Sequence, residues 1–252
     1  MSWYGFFKVP FTQFVKHGYK ATITGAENIP ATGPVILASN HVSYADTFLT
    51  PALIKRQVTL PVKAEAFRRD QGFKWSVIAW FLKAVGMVPL DRTGGRTALD
   101  GLGPVIEALE QGRVVGIYPE GTRSPDGRLY QGKTGVARLA LSTGAPVVPV
   151  GILDADIAGT KFGIPWVERP RIIVGEPLDF SVWKGMQDDR AMGRWVTDEV
   201  MAAIQKLTGQ TYVQAYAASV KSGSMDAAEA DRRVRERPGG GPPPKEPTGG
   251  LS

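Results

Sequence analysis

The residues of this chain best suited to chemistry lie in one octapeptide, Ser39-Asn40-His41-Val42-Ser43-Tyr44-Ala45-Asp46. The chain has only 2 histidines, and His41 is followed five positions later by a carboxylate. Imidazole is the natural proton acceptor near neutral pH, and a carboxylate can fix its tautomer and stabilise its cation. On a continuous helix, five positions place two side chains about 140° apart. His41 and Asp46 can therefore meet only if His41 precedes a helix and Asp46 lies in its first turn. A second reading stands beside this one. Ser43 with Asp46 three positions later has the form of a capping box, Asp replacing the usual Glu, in which Asp46 satisfies helix-start amides. The capping signal starts the helix at Ser43, so the two readings are compatible.

Two further polar stretches supply positive charge. They are Asp91-Arg92-Thr93-Gly94-Gly95-Arg96 and Pro119-Glu120-Gly121-Thr122-Arg123-Ser124, with Lys133 close behind in Gly132-Lys133-Thr134-Gly135. A guanidinium fork suits phosphate, to which it gives paired, charge-assisted hydrogen bonds. The amides of a helix starting after Lys133 add to that field. Singly, each arginine reads as a solvated surface charge. Together, on glycine-bearing loops, they read as a phosphate site.

Several chemistries have no support. Cysteine is absent, which excludes disulfides, thiolate metal sites and a thiol nucleophile. No spacing of histidines suits a metal. There is no Gly-x-Ser-x-Gly elbow, Walker loop or dinucleotide fingerprint. What remains is a base without a protein nucleophile, and such a base activates a hydroxyl of the substrate. A hydroxyl on a phosphorylated molecule, attacking an activated acyl group near a membrane, is coherent with these residues. It is not the only reading.

The elements that must position these groups follow from the patterning. Pro34-Val35-Ile36-Leu37-Ala38 reads as a buried strand running into His41, and a helix continues to about Lys55. Val58-Thr59-Leu60-Pro61-Val62 and Gly86-Met87-Val88-Pro89-Leu90 read as strands. A helix over residues 97–111 with Gly112 as its cap leads to the strand Val114-Val115-Gly116-Ile117-Tyr118. A helix over 136–142, a strand over 145–152, a patternless connection over 153–170, a late strand at 171–174 and a helix over 188–207 complete the reading. This alternation predicts an α/β fold with a largely parallel central sheet flanked by helices. The polar stretches all follow strands, so they are expected at one sheet edge, where ligand sites gather.

The ends of the chain differ in character. Residues 1–20 carry Trp3, Phe6, Phe7, Phe11 and Phe14 as one helical stripe, with lysines and no acidic residue. This predicts a short interfacial helix, kinked at Pro10, on an anionic membrane; docking on the domain's own core is the alternative. Residues 66–85, rich in aromatics and basic residues, read as a core helix or a second membrane patch. No apolar run reaches the ~18–20 residues that span a bilayer. Domain boundaries are expected at 1–20 for the membrane-interface helix, 21–210 for the catalytic domain and 211–237 for a weakly helical extension. The Gly- and Pro-rich segment 238–252 is expected to be disordered. The formal charge of +6 suits an anionic partner. Nucleic acid is not expected, since no aromatic-basic recognition motif accompanies the charge.

Four stretches in order resemble motifs of the glycerophospholipid acyltransferases. Asn40-His41-x4-Asp46 looks like the first motif of the bacterial 1-acyl-sn-glycerol-3-phosphate acyltransferases. Gly86-Met87-Val88-Pro89-Leu90-Asp91-Arg92 is similar to the second, with Pro89 at a position that carries a bulky apolar residue in the family. Pro119 to Ser124 resembles the third, and Val147-Val148-Pro149-Val150 the fourth. The resemblance covers residues 20 to 180 and implies roles. His41 would be the general base and Asp46 its orienting partner. Arg92, Glu120, Gly121, Thr122 and Arg123, with Lys133 assisting, would hold the glycerol phosphate. It further implies no bound cofactor or metal, with acyl-CoA or acyl carrier protein bringing the acyl thioester as co-substrate. Lysophosphatidic acid would be the acceptor and phosphatidic acid the product, made at the cytoplasmic face of the membrane by a peripheral or monotopic protein. Acylation of another lysophospholipid or a glycolipid, or lipid binding without catalysis, are the alternative readings.

Overall fold

A computed structural model of the chain describes residues 3–63, 87–90, 100–161 and 164–246. The expected elements over 66–85 and the loop 91–96, with Arg92 and Arg96, lie outside the described residues. The chain opens with α1 (Trp3–Gln13), which continues through a π-helical turn at Phe14–Gly18. The short strand β1 (Thr22–Thr24) follows, then β2 (Val35–Ser39) and α2 (Asp46–Leu53). Next come β3 (Val58–Thr59), β4 (Pro61–Lys63), β5 (Val88–Leu90), α3 (Gly103–Glu110) and β6 (Val114–Ile117). The remainder is β7 (Leu129–Tyr130), α4 (Gly135–Thr143), β8 (Val147–Leu153), β9 (Ile157–Lys161), β10 (Ile164–Val167), β11 (Arg171–Val174), α5 (Arg190–Thr208), β12 (Tyr212–Val213), α6 (Ala217–Lys221), α7 (Ala227–Arg232) and β13 (Val234–Arg235).

The central sheet has six strands in the order β1-β11-β8-β2-β6-β3. Strands β8, β2, β6 and β3 run parallel; β11 joins β8 antiparallel, and β1 lies parallel to β11. All five residues of β2 are buried. Their alternation sends Ile36 and Ala38 into a core with α3, α4 and α5, and Val35 and Leu37 into a second core with α2 and the N-terminal segment. The expected α/β fold, with a largely parallel sheet flanked by helices, is what the chain adopts. Close packing requires the glycine at 116. A Cβ on Gly116 would lie 2.6 Å from the Leu60 side chain, so β6 admits β3 and the chain after it only without a side chain there.

Several boundaries depart from the sequence reading. The strand expected at 58–62 is split. Val58 and Thr59 edge the central sheet, while Pro61 to Lys63 pair with β5 in a separate two-stranded ladder. Pro61 has no N–H to continue a ladder, which favours a break there. Helix α2 stops at Leu53, two residues early, and the carbonyls just past its end are taken by a lysine from α1. Lys8 Nζ donates to Ile54 O at 2.5 Å, Lys55 O at 2.9 Å and Arg56 O at 3.2 Å. Burial lowers that ammonium to about 8. The patternless connection contains the hairpin β9–β10, and Trp166 of β10 packs edge-on to Tyr19 with centroids 5.2 Å apart. The extension after residue 210 is two short helices and two short strands, of which β12 pairs with β7. Residues 238–246 have no regular structure, as their composition suggests, yet they are not detached. Trp183 Nε1 donates to Lys245 O at 3.0 Å and Trp195 Nε1 to Gly241 O at 3.2 Å, and Lys245 pairs with Asp189.

Candidate active site

Strands β2 and β6 are parallel neighbours in register, Ala38 opposite Ile117. Their C-terminal ends therefore release His41 and Pro119-Glu120 side by side. Asn40 fixes the end of β2 against β8. Its side-chain amide donates to Ile152 O at 2.9 Å and accepts from Ile152 N–H at 2.8 Å. That exchange continues the β2–β8 ladder one step with a side chain in place of backbone. The same amide also donates to Gln210 Oε1 at 3.0 Å.

The chain then turns sharply into α2, and Asp46 organises the turn. Its side chain is fully buried. One oxygen, Oδ2, accepts from Val42 N–H at 2.8 Å, Ser43 N–H at 2.9 Å and the His41 ring Nδ1 at 2.9 Å. The two backbone bonds close the turn ahead of α2, and the third is the imidazole contact. The expected helix start at Ser43 is not formed, since α2 begins at Asp46, its N-cap Ala45 has no side-chain cap bond and Ser43 Oγ accepts from Ala45 N–H. As an acceptor, Oδ2 assigns the proton of the neutral imidazole to Nδ1 and leaves the lone pair on Nε2. Among the described residues Nε2 has no hydrogen-bond partner. The ring is 14% exposed, and its face stacks on Tyr118 at 4.0 Å between centroids and 17° between planes. The Tyr118 hydroxyl is pushed well above its usual range by burial and by the Asp46 charge, so it stays neutral.

Glu120 needs a correction. The resemblance assigns it to phosphate, but its carboxyl is buried and turned inward. Oε1 accepts from His41 N–H at 3.1 Å and Oε2 from Tyr130 N–H at 2.9 Å. Both oxygens are thus occupied by backbone amides. Its place is a bolt between the His41 turn and β7. Burial raises it to about 8, with the Asp46 and Asp126 charges adding and the two amides opposing.

Pro119 is buried as well, and Gly121 to Ser124 are half-buried. Gly121 has φ +73°, and a Cβ there would touch the Lys133 side chain at 3.2 Å. Lys133 therefore lies across the turn. Arg123 stacks its guanidinium over the Tyr44 ring at 3.4 Å, a cation–π contact that holds the fork in place. Ser124 N–H donates to His41 O at 2.7 Å, which couples this turn to the imidazole. Lys221 reaches the same turn, with Nζ 3.4 Å from Thr122 Oγ1 and 3.3 Å from Arg123 O. Of the expected site, His41, Asp46, Gly121, Thr122, Arg123 and Lys133 come together. Sequence reasoning missed the Tyr118 stack and the Asn40 clamp, although both adjoin the motifs on neighbouring strands. It also missed Lys221, whose place depends on the long-range pairing of β12 with β7. Among the described residues no group of three His, Cys, Asp or Glu side chains is placed to hold a metal ion.

The fold and junction define an α/β protein with a carboxylate-oriented imidazole beside a cationic turn. Comparison with known proteins makes this specific: the chain belongs to the Acyltransferase family, whose profile matches residues 20–153. The expectation drawn from the four motifs is therefore borne out at the level of the family. The chain is 36% identical over 167 residues to a chloroplast 1-acyl-sn-glycerol-3-phosphate acyltransferase of Arabidopsis thaliana, covering 65% of this chain and 45% of that protein. It is 35% identical over 136 residues to one of Brassica napus, covering 54% and 38%. The enzyme of that name from Bacillus subtilis is 31% identical over 155 residues, covering 60% and 70%. The chain thus spans under half the length of the plant relatives. A crystal structure of the 1-acyl-sn-glycerophosphate acyltransferase PlsC from Thermotoga maritima has a similar fold, with TM-score 0.60, 24% identity and coverage of 81% of this chain and 80% of that one.

Proposed function

We propose that this protein transfers a fatty acyl group from a thioester to the free sn-2 hydroxyl of 1-acyl-glycerol-3-phosphate, giving phosphatidic acid. The observation that carries the reading is the coupling of the His41–Asp46 pair, 2.9 Å apart, to the cationic turn through the Ser124–His41 backbone bond. The names of the relatives support the choice of acceptor.

In this mechanism His41 Nε2 takes the proton of the glycerol hydroxyl as its oxygen attacks the thioester carbonyl. Asp46 stabilises the imidazolium that forms. The tetrahedral intermediate collapses with cleavage of the C–S bond, and the departing thiolate recovers the proton from His41. No covalent acyl-enzyme is formed. Arg123 and Lys133 hold the phosphate, with Gly121 and Thr122 shaping the turn; Arg92 is proposed from its motif. Glu120 positions the His41 turn from behind. The donor is acyl-CoA or acyl carrier protein.

We place the reaction at a membrane surface, at its cytoplasmic face. Among the described residues no helix is long and apolar enough to cross a membrane. Val9 and Phe11 on α1 are 64% and 39% exposed, a surface suited to the headgroup region. The test is a thiol-release assay on the purified chain with acyl-CoA and an acceptor panel in detergent micelles. Lysophosphatidic acid is expected to support release with phosphatidic acid as product. Faster turnover of lysophosphatidylcholine, or no acyl transfer to any acceptor, overturns the reading.

A further inference from the structure

The turn at 121–123 carries more positive charge than the family motifs account for. Lys133 crosses it from the chain before α4, and Lys221 reaches it from the end of α6. Arg123 belongs to the turn itself and stacks on Tyr44. Among the described residues, none of these three cations forms an ion pair with a carboxylate. An ammonium has three donors, and the two contacts of Lys221, at 3.4 and 3.3 Å, are long. Its donor capacity is therefore available to a ligand.

Like charges gathered without a counter-ion oppose one another, and an anion seated among them relieves that cost. The effect is visible on Lys221, which burial and then the Arg123 charge push below the usual lysine range. The extension does not need Lys221 to stay attached. Strand β12 pairs with β7, Gln131 N–H donates to Ala215 O at 2.9 Å, and Arg128 pairs with Asp231 at 2.6 Å. Lys221 also lies well beyond residues 20–153, the part that defines the family.

We infer that Lys221 is a third phosphate-binding cation, supplied by the C-terminal extension, and that it selects a doubly charged phosphomonoester over a phosphodiester or neutral acceptor. The inference rests on the acyl-transfer reading for the identity of the acceptor, and on the geometry alone for the anion site. The experiment separates the two. Calorimetric titration with glycerol 3-phosphate, a phosphomonoester without an acyl chain, is made on the full chain, on K221M and on K221R. K221M is expected to weaken binding about 10-fold, the loss of one charge-assisted hydrogen bond, and K221R to restore most of it. In turnover, K221M raises KM for lysophosphatidic acid more than it lowers kcat. It also narrows the preference for lysophosphatidic acid over a lysophosphodiester. Unchanged binding in K221M overturns the inference, as does a wild-type chain that does not bind glycerol 3-phosphate. So does equal weakening in K221R and K221M with a lowered melting temperature, which marks a tether. Lys221-dependent binding in a chain that acylates no lysolipid upholds the anion site and removes the acyl-transfer reading.

Discussion

At the scale of single residues, Asp46 holds two duties on one atom. Oδ2 closes the entry to α2 through two backbone amides and orients His41 through the ring. The turn ahead of α2 is thus what fixes the carboxylate beneath the imidazole. The pairing was legible in the sequence, because His-x4-Asp lets the two side chains meet only around a helix start; that start, read at Ser43, falls at Asp46. The duty of Glu120 was not legible. A motif states that a carboxyl is wanted, while the direction it points depends on which amides the fold brings near. Its burial makes a prediction about pH. The folded value of about 8 lies above the ordinary 4.5, so the folded protein holds an extra proton between the two. Stability from this group is present at low pH and is lost as pH rises through that window. Glu120→Gln removes the titration. Melting curves from pH 5 to 9 should therefore show the wild type losing ground to Glu120→Gln as pH rises towards 8. A constant difference would contradict the burial effect.

At the scale of elements, the site depends on two strand ends held level. Register between β2 and β6 sets His41 beside the 119–124 turn, and Asn40 locks β2 to β8. Alternating strands and helices announced this edge, since parallel strands must place their following loops on one side. The split of β3 from β4 and the hairpin β9–β10 were hidden, because short edge pairings are set by whichever neighbour is in reach rather than by pattern. Replacing Asn40 by Ala leaves the buried N–H and C=O of Ile152 without partners. The expected cost is about 1–3 kcal/mol in urea unfolding, with acyl transfer reduced as His41 loses its footing. Unchanged stability would show that the clamp is not needed.

At the scale of the whole molecule, a basic chain carries an aromatic N-terminal helix on an α/β domain. The sequence read this helix as interfacial, with docking on the core as the alternative; the structure docks its far end on the core, and the membrane contact is a proposal. Lys8 is drawn in to cap α2, and Val15 and Tyr19 are buried, while Val9 and Phe11 remain at the surface. The pattern showed one stripe, and only tertiary packing decides which of its residues the domain itself covers. The double substitution Val9→Asp, Phe11→Asp should release the protein from anionic vesicles in a sedimentation assay, since each apolar side chain is worth about 1.5–3 kcal/mol when buried. Sedimentation equal to wild type would place the membrane contact elsewhere. The extension after residue 210 had the weakest signal in the sequence and nonetheless closes one side of the site, because its anchors are single long-range pairings such as Tyr212 with Leu129.

The central claim is that His41 takes the proton of the acceptor hydroxyl, and single-turnover acyl transfer measures it most directly. Wild-type protein and His41→Ala are each mixed with excess lysophosphatidic acid and limiting acyl-CoA, and phosphatidic acid is quantified over time. The rate is predicted to fall by about 10²–10⁴ in His41→Ala, with the melting temperature and the binding of glycerol 3-phosphate retained. A His41→Ala protein that makes phosphatidic acid at a rate near the wild type's would contradict the account.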